Sequence, residues 1–240
     1  MKQYLLLAGA IIGIAQVGSA APMCTTGSLA SYIGLGSTGC MVGNSTVYSF
    51  SVIPGIAGAT PIAPANVTVN PLATVGLPGL SFVTNTTVQA NQIAESIFNY
   101  SITGEGYSML TASVSGTSVT GDGVATLIKD VCLNGTFNAT GTSGCIPSGG
   151  TRAANIVIVN NGTDTVNFPV LARSINLTDD FTLDGGLAGS ATGGTFTNQF
   201  AVPEPATVLL TGLGLAFVAF RKRRSALSLL SKNRMETLNE

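Results

Sequence analysis

The chain contains no histidine and no tryptophan, and only 9% of its residues are charged. Without histidine there can be no Ser-His-Asp or Cys-His nucleophile system, and the commonest zinc and iron ligand is missing. Without tryptophan, a sugar cleft lacks its most effective stacking ring. Paired carboxylates are what remain for catalysis, as in glycoside hydrolysis. The pool is Glu95, Glu105, Asp122, Asp130, Asp164, Asp179, Asp180 and Asp184. Nothing in their spacing brings two together, so the expectation is a protein that is not an enzyme, with no catalytic residues, no cofactor and no metal. Asp179-Asp180 with Asp184-Gly185-Gly186 is the nearest approach to a calcium loop, but its spacing departs from Asp-x-Asp-x-Asp-Gly, and the acids read as solvated turn residues. Basic charge is equally scarce. Between residues 22 and 200, Lys129, Arg152 and Arg173 stand against those eight acids, a net charge of −5. Such a surface excludes nucleic acid as a partner and argues against anionic lipid. No long amphipathic helical pattern occurs in this stretch either.

What is present begins with an export signal. Residues 1–20 carry Lys2, an apolar run from Tyr4 to Val17 and the small residues Gly18-Ser19-Ala20, the pattern of a secretory signal peptide cut after Ala20 or Ala21. The Sec translocon and signal peptidase are therefore expected partners. Cys24, Cys40, Cys132 and Cys145 in an exported chain read as two disulfides. Three connectivities are open, and the local one, Cys24 with Cys40 and Cys132 with Cys145, is the simplest. Loops of this size are worth about 3 kcal/mol each in the chain-entropy treatment.

From Thr46 onward the hydrophobic period is two. Val47, Ser49 and Ser51 alternate with Tyr48, Phe50 and Val52, and residues 93–102 and 113–119 alternate similarly. Ile156-Val157-Ile158-Val159 reads as a strand buried on both faces. Turn signals separate these runs at Pro54-Gly55, Asn70-Pro71, Pro78-Gly79, Gly121-Asp122-Gly123, Asn161-Gly162 and Asp184-Gly185-Gly186. Residues 185–194 are glycine-rich enough to form a flexible loop. The fold class that follows is all-β, a β-sandwich or jelly roll of about 180 residues.

Eight asparagines, Asn44, Asn66, Asn85, Asn99, Asn134, Asn138, Asn161 and Asn176, begin Asn-x-Ser/Thr triplets and are candidate glycan acceptors. β-Turns in a Ser/Thr-rich chain are the plainer account of them, since bacterial Asn-glycosylation is far from universal. Thr-x-Thr occurs at Thr163 to Thr165 and at Thr195 to Thr197, two isolated instances short of the regular ladder that an ice-binding face requires.

The C-terminal part combines three unlike features in order. Val202-Pro203-Glu204-Pro205-Ala206 is an acidic proline strip, extended because proline fixes φ and cannot donate a hydrogen bond. Residues 206–220 are uncharged and apolar, about 22 Å as a helix against a hydrocarbon core of about 30 Å. A short span of this kind works where basic side chains snorkel. Arg221, Lys222, Arg223 and Arg224 then stop transfer and stay cytoplasmic, leaving the rest outside. This sequence resembles the PEP-CTERM sorting signal of Gram-negative bacteria. The resemblance implies that Pro203, Glu204 and Pro205 are the recognition strip, that the helix holds the chain transiently in the inner membrane, and that an exosortase is the processing partner. Here the chain continues past the basic block into residues 225–240, a short cytoplasmic tail.

The organisation expected is a signal peptide (residues 1–20), an exterior β-sandwich with two disulfides (21–200), the sorting signal (201–224) and the tail. Its implied destination is the cell surface or the extracellular matrix. The implied role is structural or adhesive, with exopolysaccharide as the further candidate partner. The alternatives are a carbohydrate-binding or hydrolytic surface module, or an ice-binding protein.

Overall fold

A computed structural model describes residues 21–138, 144–146, 148–153 and 155–203. The signal peptide, the apolar span, the basic stop and the tail lie outside the described residues. In chain order the elements are β1 (Gly27–Ser28), a single helical turn α1 (Leu29–Ile33), β2 (Cys40–Val42), β3 (Ser45–Pro54), a 3-10 turn (Pro64–Asn66), β4 (Val67–Thr74), β5 (Leu77–Thr84), β6 (Thr87–Gln89), β7 (Ile93–Ser115), β8 (Ser118–Thr120), β9 (Val124–Leu133), β10 (Thr151–Arg152), β11 (Ile156–Val159), β12 (Gly162–Asp184), β13 (Ser190–Thr192) and β14 (Thr195–Ala201). Every pairing between these strands is antiparallel. The fold is an all-β antiparallel sandwich.

Two strands of 23 residues, β7 and β12, build both layers. The first half of β7 lies between β3 and the second half of β12, which in turn pairs with β9; β2 extends one edge beyond β3, and β10 and β11 line the far side of β9. The second half of β7 lies between β14 and the first half of β12, and β14 continues through β5 and β4 to β1. The two strands turn the corner together. In β7 the turn falls at Gly106, with φ of +133°, a conformation closed to residues with a Cβ. In β12 the register shifts between Asn167 and Ser174. A short sheet of β6, β13 and β8 closes one end.

Aromatic rings from both layers fill the interior. Phe196 of β14 stacks on Phe82 at 4.8 Å and meets Phe98 and Phe181 of the opposite layer at 5.4 Å each. Tyr100 reaches Phe50 and Phe82. A fully buried ring of this kind contributes about 1.5–3 kcal/mol by removal from water. Among them sits an unusual polar group. Lys129 of β9 and Asp179 of β12 form an ion pair with no exposed surface. Asn198 donates to Asp179 Oδ2 at 2.7 Å and to the Tyr100 hydroxyl at 2.8 Å.

The disulfides take the local pairing, Cys24 with Cys40 and Cys132 with Cys145. The first fastens the N-terminal strip to β2, and the second fastens the end of β9 to the loop after it.

Several local expectations are corrected. The alternation in β3 breaks at Ser49, a bulge residue at φ +56°, so Val47 and Phe50 face the core instead of residues of one parity. β11 pairs with β9 alone, and Val157 and Val159 are exposed; it is an edge strand buried on one face. Residues 185–194 are not a free loop. They contain β13, and Asp122 accepts hydrogen bonds from the amides of Leu187 (2.8 Å) and Ala188 (3.0 Å). Asn70-Pro71 and Pro78-Gly79 lie inside strands, and the turn between β4 and β5 is at Val75-Gly76. Pro71 is tolerated because β1 pairs with β4 only at Thr68 and Val69, leaving the proline's outer edge unpaired. Position 79, inside β5, requires glycine for space and not for a turn: a Cβ there would lie 2.1 Å from the Asn198 carbonyl oxygen.

Candidate functional site

The outward face of the first layer is polar because the register aligns amides and hydroxyls across strands. Asn99 of β7 stands between Ser51 of β3 and Thr178 of β12, and Ser101 stands between Tyr48 and Asn176. Asn99 Oδ1 accepts from Thr178 Oγ1 at 2.8 Å. Asn176 Nδ2 donates to Ser101 Oγ (3.0 Å) and to the Tyr100 carbonyl (3.1 Å). Its Oδ1 accepts from the Phe137 amide at 2.8 Å, which holds the segment after β9 over the sheet. The result is a cleft of about 290 Å³ floored by Ser51, Asn99, Ser101 and Asn176, with Tyr48 and Phe137 among its lining residues. Its polar floor is fixed by hydrogen bonds before any ligand arrives. Of the cleft's lining only the three sequon asparagines, Asn99, Asn138 and Asn176, carry a motif in the sequence; the bulge at Ser49 carries none.

Further along the same face, Glu95 and Asp180 are in contact. Glu95 is buried and its Oε2 accepts from the Ile56 amide at 3.0 Å. Burial, and then the neighbouring Glu95 carboxylate, push the Asp180 carboxyl up to about 6. The pair shares a hydrogen bond instead of straddling a cleft. That differs from the separation of roughly 5–9.5 Å between carboxyls that glycoside hydrolysis uses.

The other carboxylates are engaged individually. Asp130 pairs with Arg152, Asp184 accepts from the Gly186 amide at 2.8 Å, and Asp164 from the Thr165 amide at 2.7 Å. Asp179 points inward while Asp180 points outward, so the acids singled out as a calcium alternative do not converge. Among the described residues no group of three or more His, Cys, Asp or Glu could hold a metal ion.

The candidate glycan acceptors divide by environment. Asn44, Asn66 and Asn85 are exposed, in or beside turns. Asn99 and Asn176 belong to the cleft floor. Asn134 Oδ1 accepts from the Arg173 and Ser174 amides, and Asn161 exchanges two hydrogen bonds with the Thr117 backbone. Asn138 is exposed at the cleft. The two Thr-x-Thr segments flank β7 on the outward face of the second layer. Thr163, Ser113, Thr197 and Ser81 form one cross-strand row, and Thr165, Thr111 and Gln199 the next.

β14 ends at Ala201, and the Val202 amide donates to the Gly76 carbonyl at 2.9 Å. Val202 and Pro203 line a second cleft of about 490 Å³ with Ala73, Pro78 and Glu105 at one end of the sandwich. Pro203 is thus the last described residue of the proline strip; Glu204, Pro205 and the basic block from Arg221 to Arg224 lie outside the described residues. A family described as the PEP-CTERM protein-sorting motif matches residues 201–224. The chain carries a PEP-CTERM sorting motif. PEP-CTERM sorting makes this an exported protein, implies processing by an exosortase, and accords with two disulfides formed outside the cytoplasm.

No curated protein matches the chain. Solved structures similar to it include TmCBM61 in complex with β-1,4-galactotriose (7% identity, TM-score 0.27, covering 60% of this chain and 97% of that one). Also similar are the family 11 carbohydrate-binding module of Clostridium thermocellum (8%, 0.19, 64% and 88%) and the Glycosylation Associate Protein complex of Streptococcus agalactiae (10%, 0.27, 68% and 27%). Likenesses this slight establish no ligand, activity or partner for this chain.

Proposed function

We propose that the mature protein is a non-catalytic component of the cell envelope or extracellular matrix that adheres to exopolysaccharide through the cleft between β3, β7 and β12. Export begins with the Sec translocon and signal peptidase acting on residues 1–20. Exosortase processing of the PEP-CTERM motif then passes the domain to the surface, where a biofilm matrix is the setting for its role. The observation that carries the binding reading is the cleft itself. Neutral amides and hydroxyls, pre-positioned by mutual hydrogen bonds, lie beside Tyr48 and Phe137 in a cleft whose lining carries no charged side chain. Neutral polysaccharide asks for donors and acceptors in fixed places and an apolar ring beside them. The test is titration of the mature exported protein with the host's exopolysaccharide. Saturable binding is expected, and Tyr48→Ala together with Ser51→Ala should weaken it by an order of magnitude or more. Binding unchanged in that variant, or absent in the wild type, overturns the assignment.

Ice binding is the second reading, favoured by the cross-strand hydroxyl rows on the second layer. It predicts arrest of ice growth by the same preparation, lost on Thr165→Lys and kept in the Tyr48→Ala, Ser51→Ala variant.

A further inference from the structure

Lys129 and Asp179 are direct partners in the β9–β12 ladder, with both side chains turned into the sandwich and both fully buried. Lys129 Nζ contacts Asp179 Oδ1. Leu127 and Val131 flank the lysine on β9, and Leu177 and Phe181 flank the aspartate on β12, all buried. The opposite layer supplies Asn198, whose Nδ2 donates to Asp179 Oδ2 at 2.7 Å and to the Tyr100 hydroxyl at 2.8 Å. Asn198 Oδ1 is buried without a partner. This polar arrangement is incomplete, at a place where a pair of apolar residues would serve stability as well or better.

The same atoms with one water fewer are a neutral amide. In solution an amine and a carboxylic acid resist condensation because both are ionised. Burial works against those charges, and it pulls the Lys129 ammonium down toward the neutral amine, opposed by the adjacent carboxylate. Fixed neighbours in a rigid ladder also gain the proximity advantage of an intramolecular reaction, worth effective concentrations on the order of 10⁵–10⁸ M in well-oriented cases.

We propose that Lys129 and Asp179 are joined in the mature protein by an intramolecular isopeptide bond. A proton passing from Nζ to the carboxylate turns the ion pair into an amine and an acid. The Nζ lone pair attacks Cγ, the Nζ–Cγ bond forms, and the Cγ–Oδ1 bond breaks. Oδ1 departs as water, carrying its own proton and one from Nζ. Nothing is oxidised or reduced, and no co-reactant is consumed. Asn198 Nδ2 is placed to stabilise the charge that develops on Oδ2 and afterwards to hold the amide carbonyl. Tyr100 positions Asn198. The product is a staple between β9 and β12 that, unlike the nearby Cys132–Cys145 disulfide, survives reducing conditions.

The test is the mass of the reduced mature protein together with its tryptic map. Lys129, Arg152 and Arg173 are the only tryptic sites between residues 21 and 203. The protein should be lighter than its sequence by one water, with no cleavage after Lys129. The fragment containing Lys129 should remain bonded to the fragment beginning at Ser174. Lys129→Arg keeps the charge, removes the nucleophile and should restore the missing water. Full mass with cleavage after Lys129 and separate, unmodified fragments overturns the proposal. So does loss of ammonia with a link to Asn198, or a water lost at Asp122-Gly123 or Asp184-Gly185. The wild-type map decides the matter even where the variant fails to fold.

Discussion

Replacing Asp180 by asparagine should stabilise the protein at neutral pH and leave it unchanged near pH 4. Asp180 lies half-buried on the outward face of β12 against the buried Glu95, and its carboxyl is raised from 3.8 to about 6. The folded state therefore holds this proton more tightly than the unfolded chain. In linkage terms the ionised form carries a penalty that is complete above pH 6 and disappears as pH falls toward 3.8. A rise from 3.8 to about 6 corresponds to ~3 kcal/mol. Because the group is nearly half exposed, solvent screening reduces that to about 1 kcal/mol. Asparagine is isosteric with the protonated acid, can still donate toward Glu95, and removes the charge. For a domain of this size 1 kcal/mol moves Tm by about 2–4 °C. Thermal melts of wild type and Asp180→Asn at pH 4, 5, 6 and 7.5 should show a gain that opens between pH 4 and 6 and is then constant. A gain equal at every pH, or none at pH 7.5, refutes the assignment of the penalty to this carboxylate.

Asp122 behaves in the opposite sense. Its hydrogen bonds from the Ala188 and Leu187 amides hold its carboxyl below the usual value, so its contribution is present above pH 3.8 and lost as pH falls through the depressed folded value. Asp122→Ala should lower the protection of those two amides, measured against their intrinsic exchange rates, at neutral pH, and acidification should lower that protection in the wild type alone. Phe196→Ala removes the ring that joins Phe82, Phe98 and Phe181 across the layers, and should cost about 3–5 kcal/mol in chemical denaturation. A loss below 1 kcal/mol would mean the two layers do not meet there.

The strand content was legible because Thr, Val, Ile, Tyr and Phe recur with period two, and the disulfides because exported cysteines at short spacing pair locally. The sorting motif was legible in full, since its chemistry is written in consecutive residues. The corner in β7 and β12 was not, because each half reads as an ordinary strand and only the pairing shows that one chain segment serves both layers. Ser49 hid the cleft for a similar reason: one bulge residue reverses which side chains face outward. Lys129 did leave a signal. It has the parity of Ala125, Leu127, Val131 and Leu133, all inward-facing positions of β9, and a charge in such a series demands a partner. In the sequence Asp179 reads as a turn acid because its neighbours are Asp180 and, four residues further on, Asp184-Gly185-Gly186. Only the register of β9 against β12 sets it opposite the lysine.

The account rests most heavily on export and C-terminal sorting, and one comparison tests both. Wild-type protein and a variant with Glu204→Gln and Arg221, Lys222, Arg223 and Arg224 all changed to Ala should be recovered from cytosol, envelope and medium for intact-mass measurement. The wild type should appear at the surface or in the medium without residues 1–20, trimmed at its C-terminal end and with both disulfides formed, while the variant stays untrimmed. Full-length wild-type chain in the cytosol with free thiols, or a variant trimmed and released like the wild type, would contradict it.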